Sequence, residues 1–315
     1  MGKDAGGESA GVTLRDFRFW LHACLLVVAS TGVIAGQSAP SCPSCAEWNQ
    51  PQAPFRVFGN TYYVGPHGLS SILITSETGH VLIDGGLPES AKLIARNIRE
   101  LGFRIEDVKV IVNSHVHFDH AGGIAELQRM SGARVMASEW SAEVMRKGGV
   151  GRGDPQYGAV RGIAPIDNVH ELRDGDTVRV GTIVLTAHLT PGHTPGGTSW
   201  TWRSCEKTLC RDMVFADSLT PVSADRFRFT NSAEYPHALA DFEKSFVFLE
   251  QTPCEVLIST HPEASGLWER VAAREKGVTP DPMVNPGACR DLAARGREQL
   301  RLRIEEERKP QAGKN

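Results

Sequence analysis

Short apolar runs alternate with amphipathic stretches along most of this 315-residue chain. Runs rich in Val, Ile and Leu and bounded by turn residues are typical of strands, whereas apolar residues spaced three and four apart are typical of helices. Strands are predicted at residues 55–64, 69–75, 80–84, 108–113, 182–189, 198–202 and 256–260, and helices at residues 88–101, 124–130 and 291–308. The alternation predicts an α/β fold.

The predicted organisation is one large domain, with residues 1–35 as a signal peptide with a polar leader, 36–54 as an N-terminal arm and 55–315 as the domain. About 280 residues remain after the signal, which is enough for one two-sheet core. The longest loop-like segment is glycine-rich and covers residues 148–165. No internal linker interrupts the pattern.

The motif HVHFDH, at residues 115–120, follows the predicted strand 108–113 directly. A loop with alternating histidines can aim His115 and His117 at one cation. Asp119 and His120 can then turn toward a second cation. A single histidine is usually a surface or core residue, but four metal-competent side chains in six positions indicate a metal site. Imidazole and carboxylate ligands suit zinc, which accepts the open coordination position that hydrolysis needs.

Two further histidines follow strand-like runs elsewhere in the chain. His193 lies in the turn-rich segment TPGHTPGG, at residues 190–197, between two predicted strands. His261 comes directly after the run at residues 256–260. Because the ends of strands in a packed sheet present side chains to a shared cleft, both are candidate ligands.

With these segments the chain resembles the metallo-β-lactamase superfamily, and within it the class B β-lactamases of the third subclass. The resemblance runs from about Phe55 to the C-terminal helix. It includes VLIDGG at 81–86, HVHFDH, PGHTPGG, FADSLT at 215–220 and THP at 260–262. It implies an αβ/βα four-layer sandwich, with two mixed sheets face to face and helices outside.

The resemblance implies two Zn²⁺ ions per chain. The first would be held by His115, His117 and His193, and the second by Asp119, His120 and His261. Ser218 stands where other subclasses carry a cysteine ligand. Asp84 is similar to a carboxylate that orients a ligand histidine from behind. Asp217 is expected to be no ligand, although a similar aspartate bridges both metals in hydrolases of the glyoxalase II type.

The resemblance also implies zinc-dependent hydrolysis of the β-lactam amide bond of penicillins, cephalosporins and carbapenems, and hence antibiotic resistance. Zinc lowers the pKa of bound water from 15.7 to about 7, and Asp119 is the expected catalytic residue that orients this water. Ser218 and Thr220 would hold the substrate carboxylate, with capping of their own backbone as the alternative. Gln156 is either a substrate-facing residue or part of an ordinary surface loop.

Two other functions stay open. One is a dinuclear zinc thioesterase or lactonase of the same fold, in which Asp217 would bridge the metals. The other is a secreted zinc-binding protein without turnover. The pair Ser204 and Lys207 spells the S-x-x-K motif of serine β-lactamases, but its S-D-N and K-T-G companions are missing, so chance explains it.

Five other histidines lack a motif partner and are expected to be structural or exposed: His67, His80, His170, His188 and His237. His67 is a partial exception, because family members place its turn near the cleft.

The chain is expected to be exported to the periplasm or secreted. Residues 17–35 combine arginine with an apolar stretch and end in small residues, as a signal peptide does. An uncleaved anchor is the alternative, but the apolar core is shorter than the ~20 residues that a membrane span prefers. We therefore expect no stable membrane association after signal removal.

Six cysteines remain after such cleavage, and an even number in an exported chain predicts disulfides. Six cysteines allow 15 pairings. Proximity and the resemblance favour Cys205 with Cys210 and Cys254 with Cys289. Cys42 would pair with Cys45. A zinc or redox role of this CxxC is the alternative, but no second cysteine or histidine pair lies nearby.

The formal net charge is −3, and no basic run interleaved with aromatic residues occurs. Nucleic acid is therefore an unexpected partner. The expected partner is a small β-lactam substrate, and the expected state is a monomer.

Overall fold

A computed structural model describes residues 41–309 of the chain. The predicted signal peptide and the first residues of the arm lie outside this range. A seven-stranded sheet comes first, with its strands neighbouring one another in chain order. They are β1 (Phe55–Phe58), β2 (Thr61–Tyr63), β3 (Ile72–Ser76), β4 (Gly79–Ile83), β5 (Val108–Val112), β6 (Arg134–Ser138) and β7 (Val169–Leu172). The sheet is mixed, because β1 to β4 pair antiparallel and β4 to β7 parallel.

The second sheet has five strands: β8 (Thr177–Val180), β9 (Ile183–Leu189), β10 (Thr198–Glu206), β11 (Leu209–Ala216) and β12 (Val256–Ser259). Their spatial order is β12-β11-β10-β9-β8. This sheet is also mixed, since β12 pairs parallel with β11 while the other neighbours pair antiparallel.

Seven helices accompany the sheets within residues 41–309: α1 (Cys45–Trp48), α2 (Ser90–Glu100), α3 (Ile124–Ser131), α4 (Glu139–Lys147), α5 (Ala238–Gln251), α6 (Leu267–Glu275) and α7 (Ala288–Arg308). Short 3-10 turns cover Ile105–Asp107 and Pro262–Ser265. Among the described helices, none combines the length and the apolar character that crossing a bilayer requires.

Alternate residues of the central strands face different layers. On β4, Val81 and Ile83 belong to the core between the two sheets, where they join residues such as Trp200 and Phe215 of the second sheet. Leu82 points the other way, into the core beneath α2 and α3. A third core lies between the second sheet and helices α5 and α7. The αβ/βα four-layer sandwich is thereby confirmed.

The predicted strand at 55–64 is broken in two, because Gly59 adopts a left-handed φ of +54° in the turn between β1 and β2. A hydrophobic run can predict extended chain but not this reversal. Ser204 of the S-x-x-K match is buried, and its hydroxyl bonds the Phe58 carbonyl at 2.8 Å. That role is structural.

Three disulfides lie in the described chain. Cys205–Cys210 joins β10 to β11 near their hairpin turn, and Cys254–Cys289 joins the segment just before β12 to α7. Cys42–Cys45 closes a short loop of the N-terminal arm.

Candidate metal centre and active site

Four strand ends converge at one edge of the sandwich. The HVHFDH loop follows β5, His193 lies between β9 and β10, Asp217 follows β11, and His261 lies two residues past β12. The segment between this loop and α3 is closely packed: a Cβ atom on Gly122 would lie 2.1 Å from the Phe118 carbonyl oxygen, and one on Gly123 would lie 2.2 Å from the Gly85 carbonyl oxygen. The small residues after the motif therefore allow the close approach of the helix.

His115, His117 and His193 form the first cluster of candidate ligands. One donor atom from each lies within 4.8 Å of the others, and all three residues are buried. The His115 Nε2 atom has no hydrogen-bond partner within the described chain. A buried polar atom without a partner is costly unless something satisfies it, and a cation between the three rings would do so.

The opposite edge of each ring in this cluster is held by an oxygen. The Nδ1 atom of His115 lies 2.6 Å from Asp217 Oδ1, and His193 donates from Nδ1 to the Thr220 carbonyl at 2.7 Å. His117 contacts Asp154 through Nε2, at 3.0 and 3.2 Å from its two oxygens. These contacts leave Nε2 of His115 and His193, and Nδ1 of His117, free to face one cation.

Asp119, His120 and His261 form the second cluster, again with donor atoms within 4.8 Å of one another. Asp119 Oδ2 lies 3.3 Å from His120 Nε2 and 3.4 Å from His261 Nε2. His261 donates from Nδ1 to the Gly68 carbonyl at 3.1 Å. The Nε2 atoms and the carboxylate thus face a common point.

Asp84, expected to stand behind a ligand histidine, makes its hydrogen bonds with Ser114. Its two oxygens accept hydrogen bonds from the backbone N–H and the hydroxyl of Ser114, each at 2.7 Å. Its distance to His120 Nδ1 is 3.9 Å, which is too long for a hydrogen bond. Asp84 has a φ of +60°, an uncommon conformation for a residue other than glycine. It fixes the start of the HVHFDH loop, whereas Asp217 and Asp154 contact the candidate ligands His115 and His117 directly.

Burial lowers the pKa of most of the imidazoles and so keeps them in the neutral form. It lowers the pKa of His115 well below the usual range, helped by the neighbouring His120 and His117, and lowers the pKa of His193 to about 3. Neutral imidazole is the form that binds metal. Burial opposes ionisation of Asp119, but the nearby His120 and His261 outweigh it and hold the pKa of this carboxyl well below its usual range.

The donor set fits two zinc ions. Three imidazoles in one cluster, and two imidazoles with one carboxylate in the other, leave each ion a position for water or substrate. Both clusters lie on the floor of a cavity of about 360 Å³. Its walls include Ser218, Thr220 and Gln156, the residues expected to face the substrate, so the structure brings these together with all six candidate ligands.

A family model for the metallo-β-lactamase superfamily matches residues 64–261. The chain belongs to the metallo-β-lactamase superfamily. It is 57% identical to the solved Rm3 metallo-β-lactamase, with a TM-score of 0.84 over 86% of this chain and 100% of that one. It is 50% identical to MEM-A1, a subclass B3 metallo-β-lactamase from a soil metagenome library, with a TM-score of 0.80 over 82% and 98%.

A curated relative, the hydroxyacylglutathione hydrolase of Methylobacterium nodulans, is 33% identical over 107 residues, 34% of this chain. The match spans only 32% of that hydrolase, about a third of its length. The similarity to the two solved β-lactamases therefore extends much further through the fold.

Two residues at or behind this site, Trp48 and Asp154, carry no sequence signal that points to it. Trp48 of the arm borders the cleft, and its ring lies 5.2 Å from the ring of His261. Asp154 lies two residues before Gln156, yet nothing in its sequence surroundings points to His117. The HVHFDH loop and the 148–165 loop meet only in three dimensions, so a single sequence holds no signal for this pair.

The five histidines without a motif partner lie outside the lining of the cleft. His67 stacks on Trp268, with ring centroids 4.4 Å apart, and contacts Gln52 instead of facing the cavity. His80 packs against Phe103. His188 stacks on Phe248, and His170 and His237 are exposed.

Proposed function

We propose that this chain is a dinuclear zinc β-lactamase that hydrolyses the amide bond of penicillins, cephalosporins and carbapenems. The observation that carries the proposal is the pair of adjacent ligand clusters at the floor of one cleft. The proposed ligands are His115, His117 and His193 for one ion, and Asp119, His120 and His261 for the other. The similarity to two solved metallo-β-lactamases over nearly their whole length, one of them of subclass B3, supports the substrate class.

When bound, zinc supplies a water of lowered pKa and a Lewis acid for the carbonyl group. Asp119 is the proposed catalytic residue. Its carboxylate is held ionised between His120 and His261 and borders the cavity, so it can accept a hydrogen bond from the attacking water and orient it toward the lactam carbonyl carbon.

Ser218 and Thr220 are proposed to bind the carboxylate that β-lactam drugs carry. The Ser218 hydroxyl lies 2.8 Å from the hydroxyl of the buried Thr260. If Thr260 donates this bond, the Ser218 proton is free to point into the cleft. Thr220 also supplies the carbonyl that holds His193, so the carboxylate site and the first cluster share one segment.

The remainder of the cleft is largely apolar. Trp48, Phe118, Val160 and Val222 line it, and Val222 is 49% exposed at its mouth. A wide apolar wall accepts substituents of different shape with little directional demand. We infer a broad tolerance for the side groups of the lactam ring.

A thioesterase or lactonase of the same fold is the alternative function. It requires Asp217 to bridge both metals. Instead, the Asp217 carboxylate contacts Nδ1 of His115, on the edge of the ring opposite the proposed metal-binding Nε2. This position argues against a bridge and favours the β-lactamase.

We also propose that the protein is exported to the periplasm or secreted, with residues 1–35 as its signal peptide. The disulfides Cys205–Cys210 and Cys254–Cys289 support this, because disulfides persist in oxidising compartments. Amino-terminal sequencing of the protein secreted from a bacterial host tests the cleavage near Ala35.

The decisive experiment compares three substrate classes on the zinc-loaded mature protein: a carbapenem or nitrocefin, an acyl-glutathione thioester and an acyl homoserine lactone. We expect hydrolysis of the β-lactam at a kcat/KM far above that of the other two. The Asp119→Ala variant, purified in parallel, controls for contaminating activity. A thioester or lactone hydrolysed faster than every β-lactam would overturn the proposal, and turnover of none would favour a zinc-binding protein.

A further inference from the structure

Asp154 lies outside both ligand clusters, yet it contacts one of the candidate ligands. It is a carboxylate with only 2% of its surface exposed. Its Oδ2 atom lies 3.0 Å from His117 Nε2, and its Oδ1 atom lies 3.2 Å from the same nitrogen. Because a carboxylate can only accept, Nε2 must carry the proton, which leaves the Nδ1 lone pair for the cation.

The same carboxylate fixes the loop that follows it. Its Oδ1 accepts the backbone N–H of Gln156 at 2.8 Å. The next backbone contacts continue this turn, with Tyr157 N–H donating to the Asp154 carbonyl and Ala224 N–H to the Pro155 carbonyl, each at 2.9 Å. The loop then delivers Gln156 and residues 159–161 to the wall of the cleft.

We propose that Asp154 is a positioning residue that couples the first metal site to the substrate-facing wall of the same cleft. One buried carboxylate holds His117 in the tautomer that binds metal and holds Gln156 in the turn that faces the cavity. Its effect on substrate rests on the proposed β-lactam hydrolysis. Its effect on metal affinity does not, because zinc binding is measured without substrate.

The Asp154→Asn variant keeps the shape of the side chain but cannot make both contacts. An amide offers one oxygen and one NH₂ group in place of two oxygens. With the oxygen at the Oδ1 position, the NH₂ group meets the proton on His117 Nε2. With the amide reversed, the NH₂ group meets the Gln156 N–H. Either orientation places two donors together, and both remove the negative charge behind the imidazole.

We expect Asp154→Asn to weaken zinc at the first site by about 10- to 100-fold, as is typical for loss of a partner behind a ligand histidine. Asp154→Ala, which loses both contacts, should show at least the same loss and also a raised KM for a carbapenem. Competition with a chromophoric chelator measures the affinity. A His261→Ala background, which leaves only the first cluster complete, isolates that site.

Asp176 provides the matched control. It is an exposed aspartate whose Oδ2 accepts the Arg173 N–H at 2.8 Å, a similar turn contact outside the cleft lining. Asp176→Asn and Asp176→Ala should leave zinc affinity and KM unchanged. Thermal unfolding of each metal-free variant separates a general loss of stability from a loss of metal.

First-site zinc affinity of Asp154→Asn within about twofold of the parent would overturn the proposal. A fall in metal-free stability with no more change in affinity than in the Asp176 controls would overturn it equally, because the role would then be purely structural. If Asp154→Ala does not fold, the asparagine variant decides alone. Absence of β-lactam turnover in the parent would reject the proposed function and leave the zinc measurement valid.

Discussion

The two clusters of candidate ligands lie side by side but differ in how firmly their side chains are held. In the first, each of the three imidazoles is held from behind by an oxygen: Asp217 for His115, Asp154 for His117 and the Thr220 carbonyl for His193. In the second, His261 contacts the Gly68 carbonyl, but His120 Nδ1 has no hydrogen-bond partner within the described chain. The His261 side chain is also 31% exposed, whereas that of His115 is fully buried.

This difference in rigidity indicates that the two metal sites have different roles. Ligands whose rotamer and tautomer are already fixed lose little entropy when a cation binds, and partners behind them raise their basicity. The first site is therefore expected to hold zinc more tightly. The second site includes Asp119 and borders solvent through His261, so its greater freedom lies where substrate and water enter.

Removal of both metals is expected to have the largest effect on activity. Dialysis against a strong chelator should abolish β-lactam hydrolysis, and added zinc should restore it, because the activated water depends on the metal. Activity is measured together with zinc content by elemental analysis. Turnover that persists in a verified metal-free sample would show that hydrolysis does not depend on a metal at either cluster.

Single ligand deletions address each cluster separately. His193→Ala should lose chiefly the first zinc and His261→Ala chiefly the second, because each removes one of three protein ligands from a different ion. Elemental analysis should give about one zinc per chain in each variant. Exposed His237→Ala serves as the control and should keep two. Two zincs retained in both ligand variants would show that the assignment of ligands is wrong.

A weak chelator should empty the clusters in order. We expect the second site to release zinc first, because its ligands are more exposed and one ring lacks a partner. A one-zinc species should then accumulate. Comparing its stability with that of the two ligand variants identifies which site it retains. Simultaneous loss of both ions would contradict the difference in rigidity.

The carboxylates behind the clusters allow a finer comparison. Asp217→Asn should weaken first-site zinc by about 10- to 100-fold, because Asp217 contacts His115 directly. Asp84→Asn should disturb the second site less, since Asp84 reaches His120 only at 3.9 Å and bonds Ser114 instead. Chelator competition measures both. An emptied second site in Asp217→Asn would instead indicate a bridging aspartate and favour the thioesterase-type arrangement.

The candidate ligands could be predicted from one sequence, whereas the partners that make the two clusters differ could not. Apolar periodicity placed the predicted strands and helices within a few residues of the observed ones, because burial on one face determines both the pattern and the structure, but it did not predict elements such as β6, β11 and α5. The six candidate ligands could be recognised in the sequence because four of them share one short motif and the others follow strand-like runs. The break at Gly59 depends on a backbone conformation that hydrophobicity does not encode.

Partners behind the ligands depend on tertiary contacts. Asp154 lies 37 residues from His117, and Asp217 lies 102 residues from His115. Many aspartates in the chain have equally unremarkable surroundings, so spacing cannot single out these two. Trp48 illustrates the same limit, since the arm that precedes the domain reaches the cleft only after the chain has folded.

Ser218 gives the smallest and most selective prediction, because it lies beside both clusters and belongs to neither. Ser218→Ala should raise the KM of carboxylate-bearing β-lactams by about tenfold or more, since a hydrogen bond to a charged group contributes ~1.5 to 3 kcal/mol. The value of kcat should change little if this bond is equally strong in the ground and transition states. Zinc content should remain two, and Ser265→Ala, outside the cleft lining, should match the parent. A fall in kcat with unchanged KM would place the Ser218 hydroxyl in the chemical step instead of in carboxylate binding.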